Sequence, residues 1–117
     1  MENRVIKILI IDDNPDNLIS LNALIKDSFP EVLVMKALSG EIGYEIARLE
    51  DPDVILLDVV MPGMDGFEVC KKLKSDIQLS EIPVVFVTAI KGDKETRGPV
   101  RRQCYSFRLR YAAASSV

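Results

Sequence analysis

Apolar residues follow two different periods along most of this chain. Runs without alternation, rich in β-branched residues, are typical of strands that are buried on both faces of a parallel sheet. Such runs occur at residues 5–11, 54–57 and 84–87, and a weaker one occurs at 32–37. Between them the apolar period lengthens to about 3.6 residues, which indicates helices. Strands alternating with helices predict right-handed βαβ units and thus an α/β fold with a doubly wound parallel sheet.

Capping residues mark where the predicted helices begin. Asparagine, serine and aspartate favour the position before a helix, proline favours the first turn, and a glutamate three residues after an aspartate completes a capping box. The three predicted helices run from Asn14-Pro15 to before Pro30, from after Ser39 to about Glu50, and from Asp65, with Glu68 as its partner.

The helical period also predicts which side chains face the sheet. These are Leu18, Leu21, Leu24, Ile25 and Phe29 in the first helix, Ile42, Ile46 and Leu49 in the second, and Phe67, Cys70 and Leu73 in the third.

Composition fits one compact domain. With 117 residues, 48% hydrophobic and 28% charged, the chain is neither disordered nor fibrous. The apolar run 8–11 lies between Lys7 and two acids, which excludes a signal sequence or membrane span and predicts a cytoplasmic protein. Because Cys70 and Cys104 lack metal-ligand spacing and the chain has no histidine, both are expected to be free thiols.

The charge balance changes near the C-terminus. Four of the 15 basic residues and none of the 18 acidic residues lie in 98–117, so this segment carries +4 and the first 97 residues carry −7. We therefore predict a folded domain at 1–97 and an atypical basic segment at 98–117. Strict alternation at 104–111 predicts an edge strand there, and the small residues after it predict a frayed tail.

Acidic residues follow the predicted strands at the edge where open parallel sheets bind ligands. Asp12 and Asp13 close the first strand, Asp58 closes the third, and Thr88 closes the fourth. Two carboxylates about 4 Å apart repel by roughly 4 kcal/mol at an effective dielectric constant of about 20, which favours a bound cation. Hard oxygen ligands are typical of Mg²⁺. One carboxylate could then attack phosphorus and form an aspartyl phosphate, with Thr88 donating to a phosphoryl oxygen.

Each of these residues also has an ordinary structural explanation. Asp13 or Asn14 can cap the first helix, Asp58 can be a plain loop acid, and Thr88 can be a β-branched strand residue. Chance rarely places acids and a hydroxyl behind three separate buried strands. The joint pattern therefore favours a site.

Three segments carry a resemblance to a known family. IIDDNPDN, DVILLDVVMPGMDGFEV and IPVVFVTA together resemble the receiver domain of two-component response regulators, over about residues 7–91. The resemblance implies a flavodoxin-like fold and a signalling role in a phosphorelay, with no turnover of an external substrate.

The resemblance also implies roles for individual residues. Asp58 would accept a phosphoryl group from a phosphohistidine of a sensor histidine kinase or phosphotransfer protein. Asp12, Asp13, Asp58 and the backbone carbonyl of Val60 would hold Mg²⁺. Thr88 would be the switch hydroxyl.

The C-terminal part departs from the family. Receiver domains carry a lysine, usually followed by proline, at the end of a fifth strand, whereas this chain has no lysine after Lys94 and no Lys-Pro pair. Arg110 lies at a comparable distance from Thr88, but arginine and lysine are not equivalent in a tight phosphate site. The family's fourth helix, fifth strand and fifth helix are not recognisable. The resulting uncovered apolar surface predicts a homodimer or a swapped assembly.

Two other functions are alternatives to a phosphoacceptor signalling module. A degenerate receiver that lacks the lysine would act only as a binding module. A metal-dependent phosphohydrolase would also use an aspartate at the end of a strand. Such enzymes require two acids separated by one residue, whereas Asp12 and Asp13 are adjacent. Four arginines without a recognisable DNA-binding helix do not indicate direct binding of nucleic acid.

Overall fold

The elements of the fold follow the predicted order of strand and helix. A computed structural model describes residues 4–59, 61, 63, 65–89 and 104–109. The elements are β1 (Lys7–Ile11), α1 (Pro15–Ser28), β2 (Leu33–Ala37), α2 (Gly40–Glu50), β3 (Val54–Leu57), α3 (Gly66–Lys74), β4 (Val84–Ala89) and β5 (Cys104–Leu109).

All strands of the sheet are parallel, in the order β2-β1-β3-β4-β5. Ile11 at the end of β1 pairs with Ala37 at the end of β2 and with Leu57 at the end of β3. The carboxyl ends of these strands therefore lie level at one edge of the sheet. This topology confirms the flavodoxin-like doubly wound fold.

β5 lies at the outer edge of the sheet and pairs only with β4 among the described strands. It falls inside the segment 104–111, whose alternation predicts an edge strand. Residues 90–103 and 110–117, including the predicted frayed tail, lie outside the described residues. The division into a domain at 1–97 and a separate segment at 98–117 stays a prediction.

The core has two layers, one on each face of the sheet. On one face, α2 and α3 cover the side chains of alternate strand residues, such as Leu9, Ile11 and Leu57. On the other face, α1 packs through Leu18 and Leu21 against the remaining strand residues. Burial on both faces explains why β1 and β3 are apolar without alternation.

Helix α2 packs through small residues, which the apolar period did not predict. Gly43 and Ala47 are buried, whereas Ile42 is 51% exposed and Leu49 is 79% exposed. A Cβ added at Gly43 would lie 2.7 Å from Cγ1 of Ile11. The helix approaches β1 so closely that a Cβ at Gly43 would displace the side chain of Ile11. Ile42 and Leu49 therefore lie outside the contact, whereas Ile46 packs against the core.

Helices α1 and α3 agree better with the predicted faces. Leu18 and Leu21 are buried in α1 and Ile25 packs against the same layer, but Leu24 is 52% exposed and Phe29 is 62% exposed, so the predicted apolar face is wrong at Leu24 and Phe29. A stripe two turns long is enough to cover the short strands beneath it. In α3, Phe67 is 38% exposed, and its ring centroid lies 4.9 Å from that of Phe86, a residue of β4.

Cys70 is buried in α3 and is disulfide-bonded. The expectation that both cysteines are free thiols is therefore wrong for Cys70. Sequence spacing tests a local metal motif, whereas a disulfide depends on which positions the fold brings within bonding distance.

None of the described helices has the length and apolarity to cross a membrane. The longest of them, α1, has 14 residues. A span requires about 20.

Candidate functional site

Three carboxylates meet at the carboxyl edge of the sheet, and we call Asp12, Asp13 and Asp58 the acidic cluster. Each offers one oxygen, and these three oxygens all lie within 4.8 Å of one another. Asp12 is 5% exposed, Asp58 is half-buried and Asp13 is exposed. The structure therefore brings together the acids that the sequence places behind two separate strands.

Backbone hydrogen bonds that continue past the strand ends hold two of these acids. The N–H of Asp12 donates to the carbonyl of Ala37 at 3.0 Å, and the N–H of Asp58 donates to the carbonyl of Ile11 at 2.9 Å. Both acids are thus tied to the ladder of the sheet at adjacent positions. The parallel register fixes the cluster before any ligand arrives.

The first turn of α1 hydrogen-bonds both oxygens of Asp12. The N–H of Asn14 donates to Oδ1 at 2.9 Å, and the side-chain amide of Asn17 donates to Oδ2 at 3.2 Å. The side chain of Asn14 is the N-cap of α1 and accepts from the N–H of Asp16 at 2.8 Å. Because Asn14 has this role, Asp13 is not the cap of α1.

The sequence pattern does not single out Asn17. The sequence feature that could have indicated Asn17 is a side-chain amide one helical turn after the N-cap. Such an amide can reach back towards the end of β1. Spacing alone does not separate such a residue from any other polar side chain in the first turn.

The electrostatics of the acidic cluster favour a bound cation. Burial raises the pKa of Asp12, and the nearby charge of Asp13 raises it further, while the hydrogen bonds from Asn14 and Asn17 act in the opposite direction. Three carboxylate oxygens so close together repel one another unless a cation neutralises them. Hard oxygen donors around a partly exposed position are the kind of ligands that a magnesium ion takes. The residues present therefore fit a divalent cation.

The start of α3 packs directly against the backbone at Asp58. The N–H of Gly66 donates to the carbonyl of Val59 at 2.8 Å. A Cβ at Gly66 would overlap the carbonyl oxygen of Asp58 and lie 2.8 Å from Cα of Val59. Asp65 caps α3 by accepting from the N–H of Glu68 at 2.9 Å, as the capping box predicts. The helix start thus fixes the loop that carries Asp58.

Other predicted site residues fall partly or wholly outside the described residues. Val60 is outside them. The backbone of Thr88 lies in β4, but its side chain is not among the described parts of the structure. β4 continues through Thr88 to Ala89, so the expectation that Thr88 closes this strand is wrong by one residue. Pairing with β5 at this position extends the strand. Arg110 is also not among the described residues.

The fold and the acidic cluster agree with what comparison with known proteins finds. Residues 8–102 match the family described as the response regulator receiver domain. The chain belongs to this family of receiver domains.

The chain is similar to several named regulators. It is 43% identical over 90 residues to Protein PilH of Pseudomonas aeruginosa, covering 77% of this chain and 71% of PilH. It is 45% identical over 86 residues to the response regulator PleD of Caulobacter vibrioides, covering 74% of this chain but 18% of PleD. The solved structure of Vibrio cholerae chemotaxis protein CheY4 has a TM-score of 0.68 and 27% identity, covering 77% of this chain and 73% of that one.

Membership of the family defines the broad role. Receiver domains are signalling modules of two-component systems and not enzymes. Proteins of this family interact with histidine kinases or phosphotransfer proteins.

Proposed function

We propose that this protein is the phosphoacceptor module of a phosphorelay and that Asp58 carries the phosphoryl group. The observation that carries the proposal is the acidic cluster, whose oxygens lie within 4.8 Å of one another at the carboxyl edge of a receiver fold. Asp58 is half-buried, so a donor can reach it, and its backbone is hydrogen-bonded to β1 and lies against the start of α3. Rigid placement of this kind favours attack on a bound phosphoryl group.

The transfer is a displacement at phosphorus. A carboxylate oxygen of Asp58 attacks the phosphorus of a phosphohistidine and forms an O–P bond. The P–N bond to the imidazole breaks, and its electron pair returns to the ring nitrogen, which can take up a proton. The donor is a sensor histidine kinase or a phosphotransfer protein.

Magnesium is the cofactor in this proposal. Asp12, Asp13, Asp58 and the backbone carbonyl of Val60 would hold it. A bound Mg²⁺ neutralises carboxylate charge and offsets the negative charge of phosphoryl oxygens. Asp12 contributes a buried charge that hydrogen bonds keep in place, and the exposed Asp13 extends the site towards the donor.

The proposal includes a switch hydroxyl and a location. Thr88 would donate its hydroxyl to the phosphoryl group, and phosphorylation would shift a conformational equilibrium. Its position near the end of β4, the strand next to β3, supports this role. Membership of a two-component family supports a cytoplasmic location.

The test is phosphorylation by a small phosphodonor such as acetyl phosphate, followed by intact mass. We expect the wild-type protein to gain one phosphoryl group in the presence of Mg²⁺ and none when a chelator removes the metal. The Asp58→Asn variant, which keeps the size of the side chain but removes its charge, should gain none under either condition.

The same experiment separates the proposal from a binding-only module. A wild-type protein that remains unmodified with the phosphodonor and Mg²⁺, although it is folded and binds a kinase, would support the binding-only function instead. The missing lysine is the sequence feature that motivates this second candidate.

A further inference from the structure

Asp12 is the one buried charged side chain in the part of the chain that the structure describes. Such a carboxylate has two oxygens with about four lone-pair sites in total, and each site left without a partner raises the free energy of the folded state. Two hydrogen-bond donors at the start of α1 occupy part of these sites, and they differ in kind. The first is the backbone N–H of Asn14, which any residue at that position would provide.

The second donor depends on one side chain. The amide of Asn17 reaches Oδ2 of Asp12 at 3.2 Å. The backbone N–H of Asn17 donates to the carbonyl of Asn14 at 3.1 Å, so the first turn of α1 holds the residue in place. Asn17 is half-buried, which limits the competition from water for the hydrogen bond.

We infer that Asn17 is a positioning residue that orients the Asp12 carboxylate for the cation of the acidic cluster. The terminal torsion of an aspartate is broad, so one hydrogen bond to Oδ1 does not fix the plane of the carboxylate. A second donor on Oδ2 fixes that plane against the repulsion of Asp13 and Asp58. The remaining lone pairs of Asp12 are then available to a metal. This inference rests on the proposed function, because it assumes that the cluster binds Mg²⁺.

The chain offers a matched control for this role. Asn22 is also a half-buried asparagine of α1, but it lies more than a turn beyond Asn17 and does not donate to Asp12. Replacing either asparagine by alanine raises helix propensity by a similar amount, so both variants are expected to fold. Only the Asn17→Ala variant removes a donor from Asp12.

The first measurement is Mg²⁺ binding to the full chain by isothermal titration calorimetry. Loss of a partner that orients a metal ligand typically weakens metal binding by about 10- to 100-fold, and we expect Asn17→Ala to weaken Mg²⁺ binding by about 10-fold. Asn22→Ala should stay within about twofold of wild type. Asn17→Gln, which keeps an amide donor on a longer side chain, should bind more tightly than Asn17→Ala.

The second measurement separates positioning from general damage to the fold. The Mg²⁺ concentration for half-maximal phosphorylation by acetyl phosphate should rise by the same factor in Asn17→Ala, while the rate at saturating Mg²⁺ stays close to wild type. A purely structural role would lower the rate at saturation and leave the half-maximal concentration unchanged.

Three results would overturn the inference. Unchanged Mg²⁺ affinity in Asn17→Ala would overturn it, and so would an equal loss in Asn22→Ala. In both cases the proposed function would stand, because wild type binds Mg²⁺ and is phosphorylated. A wild-type protein that does not bind Mg²⁺ would overturn the proposed function and the inference together.

Discussion

At the scale of single residues, the carboxylates of the acidic cluster that suit a bound cation also destabilise the folded protein when no cation is bound. Asp12 is buried and its pKa is raised, first by burial, so ionising this group is unfavourable in the folded protein without a cation. The sequence predicted the cluster because acids directly after buried parallel strands must share one edge. It did not predict Asn17, because that contact depends on how the first turn of α1 meets the end of β1.

Gly66 lies where the site accommodates no side chain. In a Gly66→Ala variant the new Cβ would overlap the carbonyl oxygen of Asp58 and crowd Cα of Val59. Both are backbone atoms, so the loop that carries Asp58 must move. Because small displacements of a reacting group reduce rates strongly, we expect phosphorylation by acetyl phosphate to slow by about 10-fold or more. The measurement is the initial rate followed by intact mass.

Gly43→Ala is the control for this variant. Its Cβ would meet the side chain of Ile11, which lies in the core under α2. It should lower the free energy of unfolding by roughly 1–3 kcal/mol, as overpacking does, and leave the phosphorylation rate near wild type. A Gly66→Ala protein phosphorylated as fast as wild type would show that this glycine does not position Asp58.

At the scale of elements, boundaries were easier to predict than faces. The caps at Asn14, Ser39 and Asp65 are all confirmed, because each is a local hydrogen bond between a side chain and the backbone of its own helix. The buried face of α2 was predicted correctly at Ile46 but wrongly at Ile42 and Leu49, because the close contact between Gly43 and Ile11 sets how this helix meets the sheet. A tertiary contact of this kind leaves no periodic signal.

Asp53 anchors the start of β1 to the residue before β3. Its carboxylate accepts from the N–H of Lys7 at 2.8 Å and pairs with Arg4, and the hydrogen bond from Lys7 is the main cause of its lowered pKa. A pKa that is lower in the folded state stabilises the fold above the unfolded value of about 3.9. This stabilisation is lost as the pH falls through the folded pKa.

We therefore expect Asp53→Asn to reduce the free energy of unfolding by about 1 kcal/mol at pH 7 and by less at pH 3. Urea unfolding at both pH values checks this. An equal loss at the two pH values would mean that the charge of Asp53 does not contribute. The exposed Asp27 on α1, for which Asp27→Asn should change little at either pH, is a suitable control.

At the scale of the whole molecule, the two faces of the sheet differ. Among the described helices, α2 and α3 cover one face, and α1 alone covers the other. Leu56 and Val85 on the α1 face are half-buried. The parallel topology could be predicted from the sequence because three of its first four strands are apolar runs without alternation and helical periods separate all four. In the C-terminal segment, the strict alternation at 104–111 predicted the edge strand, and β5 falls inside it.

Within the described residues, the half-buried apolar side chains on the α1 face lead to a prediction about assembly. Apolar surface of this kind is usually buried by association, so we expect a homodimer or a swapped assembly. Light scattering should give a mass that rises with concentration towards twice the monomer mass of 13.1 kDa. A mass that stays at the monomer value over the whole concentration range would contradict the prediction.

Asp58 itself is the proposed phosphoacceptor, and locating the modification in the sequence tests this directly. Borohydride reduces an aspartyl phosphate to homoserine, which marks the residue in a peptide digest analysed by mass spectrometry. After treatment with acetyl phosphate and Mg²⁺, we expect homoserine at position 58, and we expect an unmodified peptide when Mg²⁺ is removed. Homoserine at position 12 or 13, or no conversion in a protein that binds Mg²⁺, would contradict it.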